Sequence, residues 1–323
     1  MARPDLLTVG EAFEDLIFIG LPMLPRPGEE VKTSRFVATV GGGAVISAVA
    51  ASRLGLSCRV VTGVGDTGLM RLEREGVSVA NLRHAGEPHA ISAALSTATN
   101  RSFVTFNGIN DVLESRLPAA LEHEDARHVH FAFYPHSCAL WEAHVLALKQ
   151  RRITTSWDFG WNESLLNDRR FPHLLRSLDY VFLNEQEAVL YARRHDLDAA
   201  LAVWRDAPTN IIVKLGAKGS CWLGQRTDLH APTHKARVVD TTGAGDAFNG
   251  GFLAGLLRGF GHSACLRLGN FVGTLSTRKA GGLDGLPALS DVPPAFADLV
   301  QAAAPAPVPP SRRPTRRTST RRS

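Results

Sequence analysis

The stretch at residues 240–251, Asp-Thr-Thr-Gly-Ala-Gly-Asp-Ala-Phe-Asn-Gly-Gly, constrains this chain more than any other. Just before it, Ala236, Arg237, Val238 and Val239 read as a short strand. Just after it, residues 247–257 are small and apolar enough to form a buried helix. Gly243, Ala244 and Gly245 therefore sit where a loop becomes a helix N-terminus. Amides there have no intrahelical partner, and the helix dipole adds partial positive charge, so the end attracts anions, phosphate above all. Glycine lets the backbone come close to such a ligand. Asp246 is out of place in a phosphate cradle, because its carboxylate repels the anion. Two readings follow. Asp246 caps the helix, or it takes a proton from a hydroxyl that attacks phosphorus.

The whole string resembles the C-terminal signature of the ribokinase/PfkB family of sugar and nucleoside kinases. The resemblance implies that Asp246 is the catalytic base and that Gly243, Ala244 and Gly245 form the anion hole, with Thr242 beside them at the nucleotide. It extends over about residues 6–290.

The chain has 323 residues, room for one large α/β domain with insertions or for two domains. Four scattered cysteines, with no C-x-x-C pair, argue against a disulfide framework or a zinc site and fit a reducing cytosol. No apolar leader opens the chain and no run of about 18 apolar residues spans it, so a cytoplasmic protein with no membrane partner is expected. The formal net charge of +5 belongs to the tail. The last twelve residues hold six arginines and no acid, and without them the net charge is −1. Residues 302–323, rich in Ala, Pro, Ser, Thr and Arg, are expected to be a disordered tail after a kinase domain at 1–301. Because the charge is confined there, nucleic acid is not the expected partner.

The rest of the chain carries the acceptor and nucleotide sides of the resemblance. Leu6 to Gly10 is an apolar run ending in glycine, a first strand of a parallel sheet. Asp15 follows near the C-terminal end of that strand, where open α/β sheets bind ligands. It reads locally as a turn residue, and by the resemblance as the group that holds sugar hydroxyls. Proline-punctuated strands within about 16–40 and a hairpin within 89–110 suggest a small accessory sheet, which in the family is a β lid over the sugar. Gly41, Gly42 and Gly43 then open a helical run at 45–54. They resemble the family's N-terminal signature and imply acceptor contacts. Ile46 stands where that signature has an asparagine that usually touches the acceptor, and Phe133 stands where a polar sugar contact is common. Both departures bear on the identity of the acceptor.

Cys58 to Thr62 reads as a strand followed by Gly63-Val64-Gly65-Asp66-Thr67-Gly68. Alone this is a G-x-G-x-x-G fingerprint. Asp66 would point a negative charge into a pyrophosphate cradle, and the segment at 70–76 reads as too short and charged for a crossover helix. The family's own G-x-D-x-x-G pattern accounts for Gly65, Asp66 and Gly68 instead, with the helix after it trimmed. A strand at 153–159 ends in Asp158. Another at 179–183 runs into Asn184-Glu185-Gln186-Glu187, the family's N-E-x-E pattern. It implies Asn184 near the nucleotide and Glu187 acting on Mg²⁺ through water. An N-cap asparagine is the local alternative. The buried strand at 210–216 leads into Leu215-Gly216-Ala217-Lys218-Gly219. The resemblance puts Gly216 and Gly219 at the nucleotide edge, offers Lys214 as a phosphate contact, and makes the segment at 269–282, with Asn270, a wall of the adenine pocket.

Strands alternating with helices imply a parallel sheet covered on both faces. The expected fold is a ribokinase-like three-layer α/β/α core with a mostly parallel central sheet and a small β-sheet lid. The expected reaction moves the γ-phosphoryl of MgATP to a hydroxyl of a small sugar-like acceptor, in a hydroxymethyl group. K⁺ is left open as an activating ion, as in some relatives, and a homodimer paired through the lid is compatible with the fold. Two alternatives stand. One is a nucleoside kinase of the same fold. The other is a non-catalytic binding protein that uses its arginine tail on nucleic acid.

Overall fold

Strands that are apolar on both faces need helices on both sides of the sheet, and this requirement sets the frame. The structure, a computed structural model, describes residues 3–293 and 296, apart from 98, 99, 225 and 226. The tail expected at 302–323 and the domain end expected at 301 lie outside the described residues. In chain order the elements are β1 (Leu6–Gly10), β2 (Phe13–Leu21), β3 (Arg35–Gly41), α1 (Gly43–Arg53), β4 (Cys58–Thr62), α2 (Asp66–Arg74), β5 (Val77–Asn81), β6 (Ile91–Thr97) and β7 (Arg101–Phe106). There follow α3 (Asn110–Glu122), β8 (His128–Ala132), α4 (Cys138–Gln150), β9 (Thr154–Asp158), α5 (Phe171–Ser177), β10 (Tyr180–Asn184), α6 (Glu185–Tyr191) and α7 (Leu197–Arg205). The chain continues through β11 (Asn210–Lys214), β12 (Ser220–Gly224), β13 (Thr227–Ala231), α8 (Ala244–Leu257) and α9 (His262–Ser276).

The main sheet runs β13-β12-β11-β10-β9-β8-β1-β4-β5. It is parallel from β11 to β5, with β12 and β13 antiparallel at one edge. On one face α1, α2, α8 and α9 bury Val45, Leu72, Phe252 and Leu266. On the other, α3 to α7 bury Leu117, Trp141, Leu174, Ala188 and Trp204. Withdrawing these apolar surfaces from water is the main force that closes the three layers. A second sheet, β3-β2-β6-β7, stands apart as the lid. Its β2 and β6 are parallel, and the outer pairs are antiparallel.

Register places the strand ends together. Gly10 pairs with Ala132, Ala132 with Asp158, and Asn184 with Lys214, all at the C-terminal edge of the parallel sheet. Such an edge is where open α/β sheets hold ligands. Helix α8 reaches the same edge by packing closely on α1. A Cβ on Gly250 would lie 2.5 Å from the Ser47 carbonyl oxygen and 2.6 Å from the Ala50 Cβ. A side chain there would push the helices apart, so glycine sets the approach.

Three local expectations are corrected. Residues 236–239 form no strand; Val239 and Asp240 instead donate their amides to the Thr277 carbonyl. The segment after Gly65 is not trimmed. Asp66–Arg74 is a nine-residue helix, amphipathic enough to bury Leu72 while its charged side faces water. Asp66 itself projects into solvent and pairs with Arg83 at 2.7 Å, so its charge is satisfied outside any cradle. Helix α9 occupies His262–Ser276, so the segment at 269–282, whose small residues read as helical throughout, leaves the helix at Thr277.

Candidate active site

The loop before α8 turns through Gly243 at φ 71, a left-handed conformation that glycine adopts at no steric cost. The backbone of Gly243, Ala244 and Gly245 then starts the helix at the sheet edge, with the Ala244 amide donating to the Thr241 carbonyl at 3.2 Å. Asp246 lies in the first turn, partly exposed, and its backbone carbonyl accepts a hydrogen bond from the Ser47 hydroxyl of α1 at 3.0 Å. The helix N-cap is Gly243, so Asp246 does not occupy the capping position. Gly43, the first residue of α1, faces it. A Cβ there would stand 3.0 Å from the Asp246 Oδ1.

Two strand ends and the start of helix α6 supply the charges around Asp246. Lys214, from β11, reaches over the end of β10 to Asp158, from β9, at 2.6 Å. Asn249 of α8 donates to the same Asp158 oxygen at 2.7 Å. Burial alone would raise Asp158, but the Lys214 ammonium and these hydrogen bonds hold it below the usual carboxylate range. Burial would likewise lower Lys214, yet Asp158, Glu187 and Asp246 together keep it raised and charged. Asp246 is pushed up to about 6 by burial and by the negative charge of Asp158, with Lys214 opposing. Burial and Asp158 also push Glu187 up to about 7. One lysine thus faces three carboxylates, and two of them, Asp246 and Glu187, are brought toward neutral pH, with Asp246 the one that stands on α8 beside the helix amides.

Asn184 and Glu187 form a capping box at the start of α6. Asn184 accepts from the Glu187 amide at 2.8 Å, and its own amide and side chain donate to the two Glu187 oxygens at 2.8 and 2.7 Å. The local cap reading of this asparagine therefore holds in the structure.

On the other side of Asp246 the lid contributes Asp15. It lies in β2 rather than in a turn, and a Cβ on Gly41 would stand 2.0 Å from its Oδ2. Burial and the neighbouring Asp240 push Asp15 up to about 7. Gly42 has φ 103 and packs against the Glu11 carbonyl, where a Cβ would come within 2.3 Å. The three-glycine run thus abuts Asp15 of the lid at Gly41 and Asp246 at Gly43.

Beyond the helix N-terminus lies a cavity of about 580 Å³. Of the residues expected at a nucleotide, Lys214, Gly216, Gly219 and Asn270 line it, together with Ala244 and Gly245. Asn184 and Thr242 are not among its lining residues. Asn270 is held by donating to the Ala231 carbonyl at 2.9 Å. Ile46 does not face an open acceptor site. It is buried, and its Cδ1 fills the space that a Cβ on Gly243 or Gly282 would need. Phe133 is buried against Phe131, Trp141 and Trp157, with one edge on a small cavity of about 110 Å³ that Glu11 and Asn110 also line.

Four residues that the motifs did not single out complete the site. Asp158 was visible only as a strand-end aspartate. Asn249 and Ser47 reach it and Asp246 from helix faces. Arg101 of the lid pairs with the buried Asp240 at 2.7 Å and donates to the Thr242 hydroxyl. None of these pairings has a short-range signal, because their partners lie far apart in the chain.

The sequence matches the pfkB family of carbohydrate kinases over residues 3–289. It is 28% identical over 293 residues to the uncharacterized sugar kinase YegV of Escherichia coli (strain K12), covering 87% of this chain and 90% of that protein. Its fold resembles that of Arabidopsis thaliana ribokinase complexed with ribose and ATP, with a TM-score of 0.70, 21% identity, and 94% and 100% of the two chains covered. The adenosine kinase of Sinorhizobium meliloti is similar in fold at a TM-score of 0.71 and 22% identity, covering 93% and 100%. Among the described residues no helix is long and apolar enough to cross a membrane. The chain belongs to the pfkB family of carbohydrate kinases.

Proposed function

We propose that the protein transfers the γ-phosphoryl group of ATP to a hydroxymethyl oxygen of a small sugar-like acceptor. The observation that carries this reading is the position of Asp246. It stands in the first turn of α8, between Gly43 of the glycine run and the 580 Å³ cavity, and its pKa is pushed up to about 6. Asp246 takes the proton of the acceptor hydroxyl as that oxygen bonds to phosphorus. The bond from the γ-phosphorus to the bridging oxygen breaks, and ADP carries away the leaving charge. The amides of Gly243, Ala244 and Gly245 hold the charge that spreads over the transferring phosphoryl oxygens. ATP occupies the cavity along Gly216, Gly219 and Asn270, with Thr242 and Asn184 at its margins. Asp15 and Gly41 to Gly43 orient the acceptor, and Lys214 acts through Asp158 rather than as a free phosphate ligand.

Mg²⁺ fits this site through water. Both Glu187 oxygens already accept from Asn184, and each keeps a lone pair for a water molecule. Among the described residues no group of three or more His, Cys, Asp or Glu is spaced to cage a metal. When bound with ATP, the ion neutralises phosphate charge.

The lid places Phe36, Phe103 and Phe106 at the surface, each more than half exposed. By register Phe36 and Phe106 share one face of this small sheet, and a second lid packed on that face supports a homodimer. An apolar Ile46 facing the acceptor would favour a nucleoside base, but that side chain is buried against Gly243 and Gly282 and gives the nucleoside reading no support. The deciding experiment is a panel of sugars and nucleosides assayed with MgATP, beside the Asp246→Asn variant. Turnover on a sugar, lost in the variant, is the expected result. Turnover confined to nucleosides transfers the assignment to the second reading, and an active variant rejects Asp246 as the base.

A further inference from the structure

Arg101 opens strand β7 of the lid, yet its guanidinium leaves the lid. Its Nη1 lies 2.7 Å from the Asp240 Oδ1 and donates to the Thr242 hydroxyl as well. Its Nε donates to the Ser96 hydroxyl at 3.2 Å, which anchors the other side of the group to β6. Asp240 is buried, with its side chain only 3% exposed. It braces the loop that leads into α8: its Oδ1 accepts the Thr242 amide at 2.7 Å and its Oδ2 accepts the Gly281 amide at 3.0 Å. Burial would raise Asp240, and the Gly281 and Thr242 amides together with Arg101 keep it ionised. Asp15, the lid's carboxylate, adds to the negative charge around Asp240. The cation that balances this buried charge thus comes from the lid, and it touches the two residues that fix the approach to Gly243.

Resting on the kinase reading above, we infer that Arg101 is a positioning residue that couples the seated lid to the geometry of the amides at Gly243 to Gly245. With Arg101 in place, Asp240 is paired and the loop is braced. With the lid lifted, a buried carboxylate loses its counter-charge, and the loop that presents the amides loses one of its holds. The consequence is that phosphoryl transfer is favoured only when the lid, and with it the acceptor, is in place. Water then attacks ATP less readily than the acceptor does.

The test uses the full chain with Arg101→Ala, Arg101→Lys, Asp240→Asn and the double variant R101A/D240N, assayed on the best acceptor of the panel. Misplaced catalytic groups cost about 10²-fold, so R101A is expected to lower kcat by about 10- to 100-fold while KM for ATP changes little. Acceptor-free ATP hydrolysis should rise relative to transfer. Lysine keeps the charge but not the forked contact to Asp240 and Thr242, and so should recover only part of the loss. Guanidinium ion, added below denaturing levels, should restore some activity to R101A and none to D240N. The double variant should be no worse than the worse single one, because the two residues act as one unit. Wild-type kcat in R101A, or losses that simply add in the double variant, overturns the inference. So does a lower Tm in R101A with kinetics unchanged, which is what a purely structural role gives. Hydrogen exchange in β6 and β7 separates this inference from the kinase reading. Faster exchange in R101A and D240N supports the coupling even if no acceptor turns over, and exchange equal to wild type overturns it even if the kinase reading stands.

Discussion

Asp246 shows how a single residue's surroundings decide its chemistry. In water its carboxyl would be ionised well below neutral pH and a poor proton acceptor. Burial and the Asp158 charge bring it to about 6. Because it works as a base only when deprotonated, kcat/KM should rise with pH through about 6 and level off above it, a dependence read directly from a pH profile. Asp246→Asn should lose about 10²-fold or more in kcat while still binding ATP. The same variant tests linkage. The folded state binds the Asp246 proton more tightly than the unfolded chain, whose value is near 3.8. That stability is complete below about 3.8 and lost as pH rises through about 6, so the ionised carboxylate is a cost at pH 8. Asparagine removes the cost. The variant should therefore melt a few degrees higher than wild type at pH 8 and show no gain at pH 4, as thermal scans would reveal. Lys214 makes the opposite case. Lys214→Met leaves Asp158 buried without its cation, and should destabilise by about 3–5 kcal/mol in denaturant titration.

At the scale of elements, the site depends on how closely α8 lies on α1. Gly250 permits that approach. Gly250→Ala should cost about 1–3 kcal/mol by overpacking and should also lower kcat, because a displaced α8 carries Asp246 away from Gly43. A stability loss with kcat intact would show that the approach serves the core alone. The strand ends were legible from their apolar runs, and so were the glycine turn and α8 itself. Helix α2 was not, because a short, largely charged segment with one buried leucine reads as a solvated connection even though it is amphipathic. The loop at 236–239 read as a strand from its two valines, which the structure leaves half exposed. Val239 and Asp240 spend their amides on Thr277 rather than on a ladder, a choice set by α9 and not by local propensity.

Across the whole molecule, two sheets with different roles meet at one edge. The large sheet holds Asp158, Asn184 and Lys214 at its C-terminal edge, and the small one carries Arg101 to Asp240 and Thr242 and Asp15 to Gly41. Pairing of two lids would cover Phe36 and Phe106, which share a face of the small sheet. Phe106→Asp is expected to convert a dimer to a monomer in light scattering, with the core still folded; a wild-type protein that is already monomeric would reject the lid as a dimer surface.

The sequence by itself determined the local chemistry. A glycine turn before an apolar helix, with an aspartate in its first turn, needs only neighbouring residues to define it. The same holds for the alternation of strand and helix that made the three layers legible. Tertiary structure alone decided the long-range electrostatics: Lys214 on Asp158, Asn249 on the same oxygen, and Arg101 on Asp240. Those contacts depend on strand order and on the way the lid folds back. A charge's partner is set by distance through space, which spacing along the chain does not encode.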